Sequence, residues 1–273
     1  MNNCFSSQQL LEDVVAVARQ AGILILDVYG TDFQSTSKSD ASPVTEADEL
    51  SERLILQALA TLTPRIPVVS EETAARGVLP ETGRLFWLVD PLDGTKEFIK
   101  RNGEFTVNIA LIEDGKPVLG VVLAPALNRL FGGGTNLTAF RDDGIQRQFI
   151  ECRTGLGSGL TVVSSRSHAE PDAVRAFLGD RQIASVVSVG SSLKFCLIAS
   201  GEADLYPRLG RTMEWDTAAG QAVLTAAGGR VTALDGEELI YGKPGFANPH
   251  FIAFRGELDL DFRHVTAYVK EER

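Results

Sequence analysis

Asp90-Pro91-Leu92-Asp93-Gly94-Thr95 follows directly on Arg84-Leu85-Phe86-Trp87-Leu88-Val89, an apolar and aromatic run of strand composition. Proline brings no N–H to a ladder, so the sequence predicts that the strand stops at Asp90. Two carboxylates then stand on a sharp turn at the end of a buried strand. Gly94 supplies backbone freedom and Thr95 a hydroxyl. Acids held close together in a partly buried place repel one another unless something positive joins them. A divalent cation meets that need, and hard oxygen donors point to magnesium.

The other acids also fall at the ends of expected elements. Residues 8–29 carry Leu10, Leu11, Val14, Ala18, Ala21, Leu24, Ile25 and Val28 at helical spacing, with Ser7 before and Gly30 after. Residues 31–43 are polar and read as a loop ending at Pro43. Thr45 opens a second helix that Pro64 ends, and Asp48 stands in its first turn. Ile66–Ser70 reads as a short strand that delivers Glu71-Glu72. Phe105–Ile112 alternates cleanly, Asp114-Gly115 turns the chain into Pro117–Leu123, and short strands are expected near 129–133, 137–140 and 145–150. This part predicts an antiparallel meander packed on a pair of helices.

Residues 153–159 are rich in glycine and mark the expected boundary between an N-terminal lobe (1–155) and a C-terminal lobe (156–273). Beyond it the pattern alternates: strand 160–164, helix 171–178, strand 183–189, helix 193–200, strand 203–206, helix 217–227 and strand 230–233. That is an α/β arrangement. A further strand is expected at 251–254, and 257–268 reads ambiguously.

Composition excludes several function classes. A net charge of −10 argues against a nucleic-acid polymer or an acidic membrane as a general partner. Cys4, Cys152 and Cys196 are scattered, with no disulfide framework or zinc spacing. No signal peptide or transmembrane run is evident, so a reducing, cytoplasmic setting is expected. No lipidation motif or strongly basic amphipathic helix argues for attachment to the inner face of the membrane.

Taken singly, the acids have ordinary readings. Asp48 and Asp216 suit helix N-termini, Glu71-Glu72 a solvated turn, and Asp90 and Asp93 a turn rich in aspartate and glycine. Together they resemble the inositol monophosphatase superfamily, whose pattern is a Glu-Glu pair, then D-P-[LI]-D-G-T, then a distal W-D-x-A-A. Here these are Glu71-Glu72, Asp90–Thr95 and Trp215-Asp216-Thr217-Ala218-Ala219, with Pro43–Asp48 matching an upstream P-V-T-x-A-D. Lys96–Leu111, Ser165-Arg166-Ser167-His168 and Gly190–Cys196 are similar to the bacterial 3′(2′),5′-bisphosphate nucleotidase branch. The N-terminus and residues 73–83 and 126–158 depart from that pattern and carry no motif.

The resemblance implies a layered αβαβα, α+β fold: an N-terminal helix pair on an antiparallel sheet, then an α/β lobe. It implies magnesium, two or three ions, held by Glu71, Asp90, the Leu92 carbonyl, Asp93 and Asp216, with Glu72 as a third-metal candidate. Thr95, oriented by Asp48 and assisted by Glu71, would activate the attacking water. A small nucleotide bisphosphate would contact Glu71, Leu92, Asp93, Gly94, Thr95, Ser165, His168, Gly190, Ser191, Lys194 and Asp216. Lys96, Lys100, Arg101, Arg208 and Arg211 form a basic set that would attract a second phosphate. The activity implied is hydrolysis of adenosine 3′,5′-bisphosphate to AMP, extending to 3′-phosphoadenylyl sulfate, in sulfate assimilation and with lithium sensitivity. The alternatives are an inositol or sugar phosphatase on the same metal site, a haloacid-dehalogenase-type phosphatase and a non-enzymatic anion-binding protein. The haloacid-dehalogenase signature places one residue, not two, between its aspartates.

Overall fold

The structure is a computed structural model, and it describes residues 7–37, 43–155, 158–166, 178–256 and 258. Helix α1 (Gln8–Tyr29) is capped by Ser7, whose hydroxyl accepts the Leu10 N–H at 3.1 Å. Its buried stripe includes Leu11, Val14, Ala18, Ala21 and Ile25. Two short paired strands follow, β1 (Ser35–Ser37) and β2 (Pro43–Thr45), in the segment expected to be a loop. They are too short to leave a period-2 hydrophobic pattern. Helix α2 (Glu46–Leu62) then packs on α1.

Seven strands form the first sheet in chain order: β3 (Val68–Ser70), β4 (Leu85–Asp93), β5 (Thr106–Glu113), β6 (Lys116–Ala124), β7 (Arg129–Gly134), β8 (Leu137–Asp142) and β9 (Arg147–Phe149). Only the β3–β4 pair is parallel; the rest is the expected meander. Two short helices, α3 (Glu71–Ala75) and α4 (Thr95–Ile99), sit at the carboxyl ends of β3 and β4.

The strand does not stop at Asp90. β4 continues through Pro91 to Asp93 because the proline falls in a β-bulge. Asp90 pairs with Asn108 and Asp93 with Thr106, so Pro91 and Leu92 together oppose the single residue Val107. In a regular strand, residues three apart face opposite sides. The extra residue cancels that offset, and both aspartates face the same side. The hydroxyl of Ser51 on α2 donates to the Pro91 carbonyl at 2.9 Å and pins the bulge.

The second sheet has the order β11-β10-β12-β14-β13, built from β10 (Leu160–Ser165), β11 (Ile183–Val189), β12 (Leu205–Arg208), β13 (Gly229–Ala233) and β14 (Phe251–Arg255). β10 runs parallel to β11 and β12, and β14 runs antiparallel to its neighbours. Between the sheets lie α5 (Leu193–Ala199) and α6 (Glu214–Ala226), with α6 touching β4–β8 on one side and β13 on the other. α6 begins three residues before the expected start, so Asp216 lies inside its first turn. The approach to the first sheet is close. A Cβ on Gly120 of β6 would meet the Ala219 carbonyl at 2.5 Å.

The described residues thus supply four layers: α1–α2, seven strands, α5–α6, five strands. Most of the helix expected at 171–178, and the ambiguous 257–268 except Leu258, lie outside the described residues. Arg153 at the start of the expected boundary is tied to the second sheet, donating to Asp204 from Nε at 2.7 Å and to the Thr161 hydroxyl at 3.1 Å.

Candidate active site

The carboxyl ends of β3 and β4 and the start of α6 open onto one cleft. Glu71, Asp90, Leu92, Asp93, Gly94, Thr95 and Lys96 line it from the first half of the chain. Ser165, Gly190, Ser191, Lys194, Arg208, Arg211 and Asp216 line it from the second. Nearly every residue singled out from sequence therefore converges. Glu72 is buried and does not line the cleft. His168 lies outside the described residues.

Two members of the basic set fall elsewhere. Lys100 is exposed and does not line the cleft. Arg101 donates to the Tyr29 and Thr31 carbonyls at 2.5 Å each, and its guanidinium lies over the Tyr29 and Phe33 rings. Its charge closes the end of α1, because planar guanidinium hydrogens match free carbonyls and ring faces together.

The acidic wall is strained electrostatically. Burial, then Glu71, Asp93 and Asp216, pushes the Asp90 carboxyl well above the usual carboxylate range. Asp93 is pushed up to about 6 by burial, with Glu71 adding to the rise and Lys194 and a hydrogen bond from the Ser192 N–H opposing it. Asp216 is also pushed well up, by burial and then by Asp93 and Glu71. Among the described residues, no three acidic, histidine or cysteine side chains form a ready-made coordination cluster. The carboxylates share a cleft and one another's field rather than a closed shell.

Each acid is held by its own element. Asp48 Oδ2 accepts the backbone N–H and the hydroxyl of Thr45, at 2.8 and 2.7 Å, which closes the start of α2. Its other oxygen accepts the Thr95 hydroxyl at 3.2 Å. Asp48 therefore fills its helix-terminus role and touches the site as well. Asp216 likewise accepts the Met213 N–H at 2.8 Å. Gly94 has a φ of +89°, and a Cβ there would press on the Glu104 carbonyl and Glu97 at 3.3 Å, so the turn after Asp93 requires glycine.

The opposite wall is basic. Lys194 is buried, donates to the Val189 carbonyl at 3.4 Å and to the Ser191 carbonyl, and lies over the Tyr206 ring. Burial pulls its pKa down to about 8, with Asp93 opposing. Arg208 Nε and Ser191 Oγ are buried without a hydrogen-bond partner, and Ser191 adopts a φ of +48°. Such atoms are costly unless a ligand satisfies them.

Sequence reasoning missed the clasp that carries this wall. Glu104 accepts Arg166 Nε and Nη2 at 2.7 Å each and the Gly190 N–H at 2.9 Å. The signal was faint: a lone Glu in Gly103-Glu104-Phe105 and a lone Arg in Ser165–His168, separated by 62 residues.

A fold of this layering is matched by known proteins. The sequence matches the inositol monophosphatase family over residues 6–260. The chain belongs to that family. A protein of Escherichia coli O6:H1 named 3′(2′),5′-bisphosphate nucleotidase CysQ is 48% identical over 245 residues, which is 89% of this chain and 98% of the relative. One of the same name from Buchnera aphidicola is 39% identical and covers 90% of this chain and 94% of the relative. Among solved structures, CysQ from Bacteroides thetaiotaomicron superposes with a TM-score of 0.75 at 36% identity, covering 92% of this chain and 98% of that one. An IMPase of Thermotoga maritima superposes with a TM-score of 0.80 at 26% identity, covering 97% and 99%.

Proposed function

We propose that the chain is a magnesium-dependent phosphomonoesterase that hydrolyses adenosine 3′,5′-bisphosphate to AMP and phosphate, and 3′-phosphoadenylyl sulfate in the same way. The observation that carries this reading is one cleft with an acidic wall of oxygen donors facing a basic wall with unsatisfied donors. Its acidic wall suits a metal and its basic wall suits phosphate. The names of relatives as much as 48% identical over nearly their full length support the choice of substrate.

The residues present fit a divalent cation. Glu71, Asp90, the Leu92 carbonyl, Asp93 and Asp216 offer only hard oxygen atoms, and three of those carboxylates are destabilised as anions by burial and by one another. Bound there, magnesium would supply Lewis acidity and lower the pKa of water.

The remaining work falls to the chain itself. The Thr95 hydroxyl gives its hydrogen to Asp48, at 3.2 Å. Its oxygen is therefore left as an acceptor toward the cleft, where it orients the attacking water by accepting one of its hydrogens. Lys194, Arg208 and Arg211 hold the phosphate oxygens, and the Arg208 Nε and Ser191 hydroxyl gain the partners they lack. Water adds to phosphorus and the bond from phosphorus to the 3′ oxygen breaks; of the water's two hydrogens, one ends on the released ribose oxygen and the other stays on the phosphate. A substrate panel tests the reading: with magnesium, the nucleotide should be cleaved well ahead of inositol 1-phosphate, and the reverse order would overturn the substrate assignment. Inhibition by lithium belongs to the same expectation. Among the described residues, no helix is long and apolar enough to cross a membrane.

A further inference from the structure

Asp93 is contacted by three buried polar residues with no catalytic part in the account above. Thr106 and Asn108 alternate along β5, so both side chains share a face, and their register places them opposite Asp93 and Asp90. Ser192 arrives from the turn before α5, 84 residues beyond Asn108. All three are at most 1% exposed. Ser192 Oγ donates to Asn108 Oδ1 at 2.6 Å and lies 2.9 Å from Thr106 Oγ1. Asn108 Nδ2 donates to Asp93 Oδ2 at 3.4 Å, and Thr106 Oγ1 lies 3.5 Å from the same oxygen.

Counting hydrogens fixes the direction of the network. Ser192 has one hydroxyl hydrogen, and the shortest contact commits it to Asn108 Oδ1. The Asn108 carbonyl oxygen is thereby turned toward Ser192, which leaves its NH2 group facing Asp93. The Thr106 hydrogen goes to Ser192 at 2.9 Å rather than to Asp93 at 3.5 Å. The Ser192 backbone N–H also donates to the Asp93 carboxylate. One residue of the second half of the chain thus holds Asp93 twice, directly through its amide and indirectly through Asn108.

We propose that Ser192 is a positioning residue that orients Asp93 for metal binding through Asn108, so that the turn Gly190–Ser192 sets the metal affinity of the first half of the chain. This inference rests on the functional reading above. Groups hydrogen-bonded to a ligating carboxylate set its direction, and losing one typically weakens metal affinity by about ten- to a hundredfold.

The test is a calorimetric titration of magnesium into the full-length, chelator-stripped protein, alongside steady-state kinetics. Ser192→Ala should weaken magnesium binding by about ten- to a hundredfold, while kcat at saturating magnesium stays within roughly threefold of wild type. Thr106→Val removes the hydroxyl that aims Ser192 and should weaken binding in the same direction; it decides the matter if Ser192→Ala does not fold. Ser200→Ala, which removes a hydroxyl bonded to the Cys196 carbonyl, should leave the affinity unchanged. Magnesium affinity within about twofold of wild type in both Ser192→Ala and Thr106→Val would overturn the inference. A wild-type protein that binds no magnesium would instead overturn the functional reading.

Discussion

Replacing Glu104 with alanine should raise KM by about a hundredfold. Glu104 gives one oxygen to the N–H of Gly190, which is buried. Leaving a buried donor unsatisfied costs about 1–3 kcal/mol. The ion pair to Arg166 is part-exposed, at 43% for the arginine and 18% for the glutamate, so it adds only about 0.5–1 kcal/mol. The sum is about 1.5–4 kcal/mol, centred near 2.7, or about a hundredfold at a factor of ten per 1.4 kcal/mol. The Glu104 carboxylate acts through the turn that presents Ser191 and leads into Lys194, and with magnesium saturating the loss falls on KM rather than kcat. Glu104→Gln keeps an acceptor for Gly190 and should lose only the ion-pair share, about threefold. Although burial works the other way, Arg166 and the Gly190 N–H hold the Glu104 pKa below its ordinary value. Its contribution to stability is therefore complete above the unfolded value of about 4.3 and fades as pH falls through the lower folded value. The assays are steady-state kinetics at saturating magnesium and denaturant melts at several pH values. A Glu104→Ala enzyme with KM within about twofold of wild type would refute the clasp.

Other consequences follow from the same geometry. Thr95→Val should lower kcat by about a hundredfold or more with little change in melting temperature, since the hydroxyl orients water; Asp48→Asn should lower both, because Asp48 also caps α2. Gly120→Ala should destabilise the protein by about 1–3 kcal/mol in a chemical melt, because the new methyl would meet the Ala219 carbonyl and the Ala222 side chain. It should also reduce turnover by shifting α6, which carries Asp216. Chelation should abolish activity, magnesium should restore it, and the ion should raise the melting temperature of the stripped protein by relieving the crowded carboxylates.

The parts legible in the sequence were those with a local signature. The meander, the long helices and the second sheet follow from periodicity. Asp90, Asp93, Glu71 and Asp216 stood out because acids recurred at the ends of elements, and all four line the cleft. Pro91 misled because proline normally ends a ladder; the bulge that accommodates it depends on β5 and on Ser51, which no local pattern reveals. Arg101 read as part of an anion site because its charge was visible and the carbonyls at the end of α1 were not. The clasp of Glu104 with Arg166 and the Thr106–Asn108–Ser192 contacts join residues 62 to 86 positions apart. Such pairings arise only when the two sheets are stacked.

The central claim is that this cleft removes the 3′ phosphate of a nucleotide bisphosphate, and one comparison tests it most directly. Purified protein with magnesium is assayed for kcat/KM on adenosine 3′,5′-bisphosphate and on inositol 1-phosphate. The account predicts a preference for the nucleotide on the order of a hundredfold or more, because only the nucleotide gives the basic wall a second phosphate. Equal rates, or faster cleavage of inositol 1-phosphate, would contradict it.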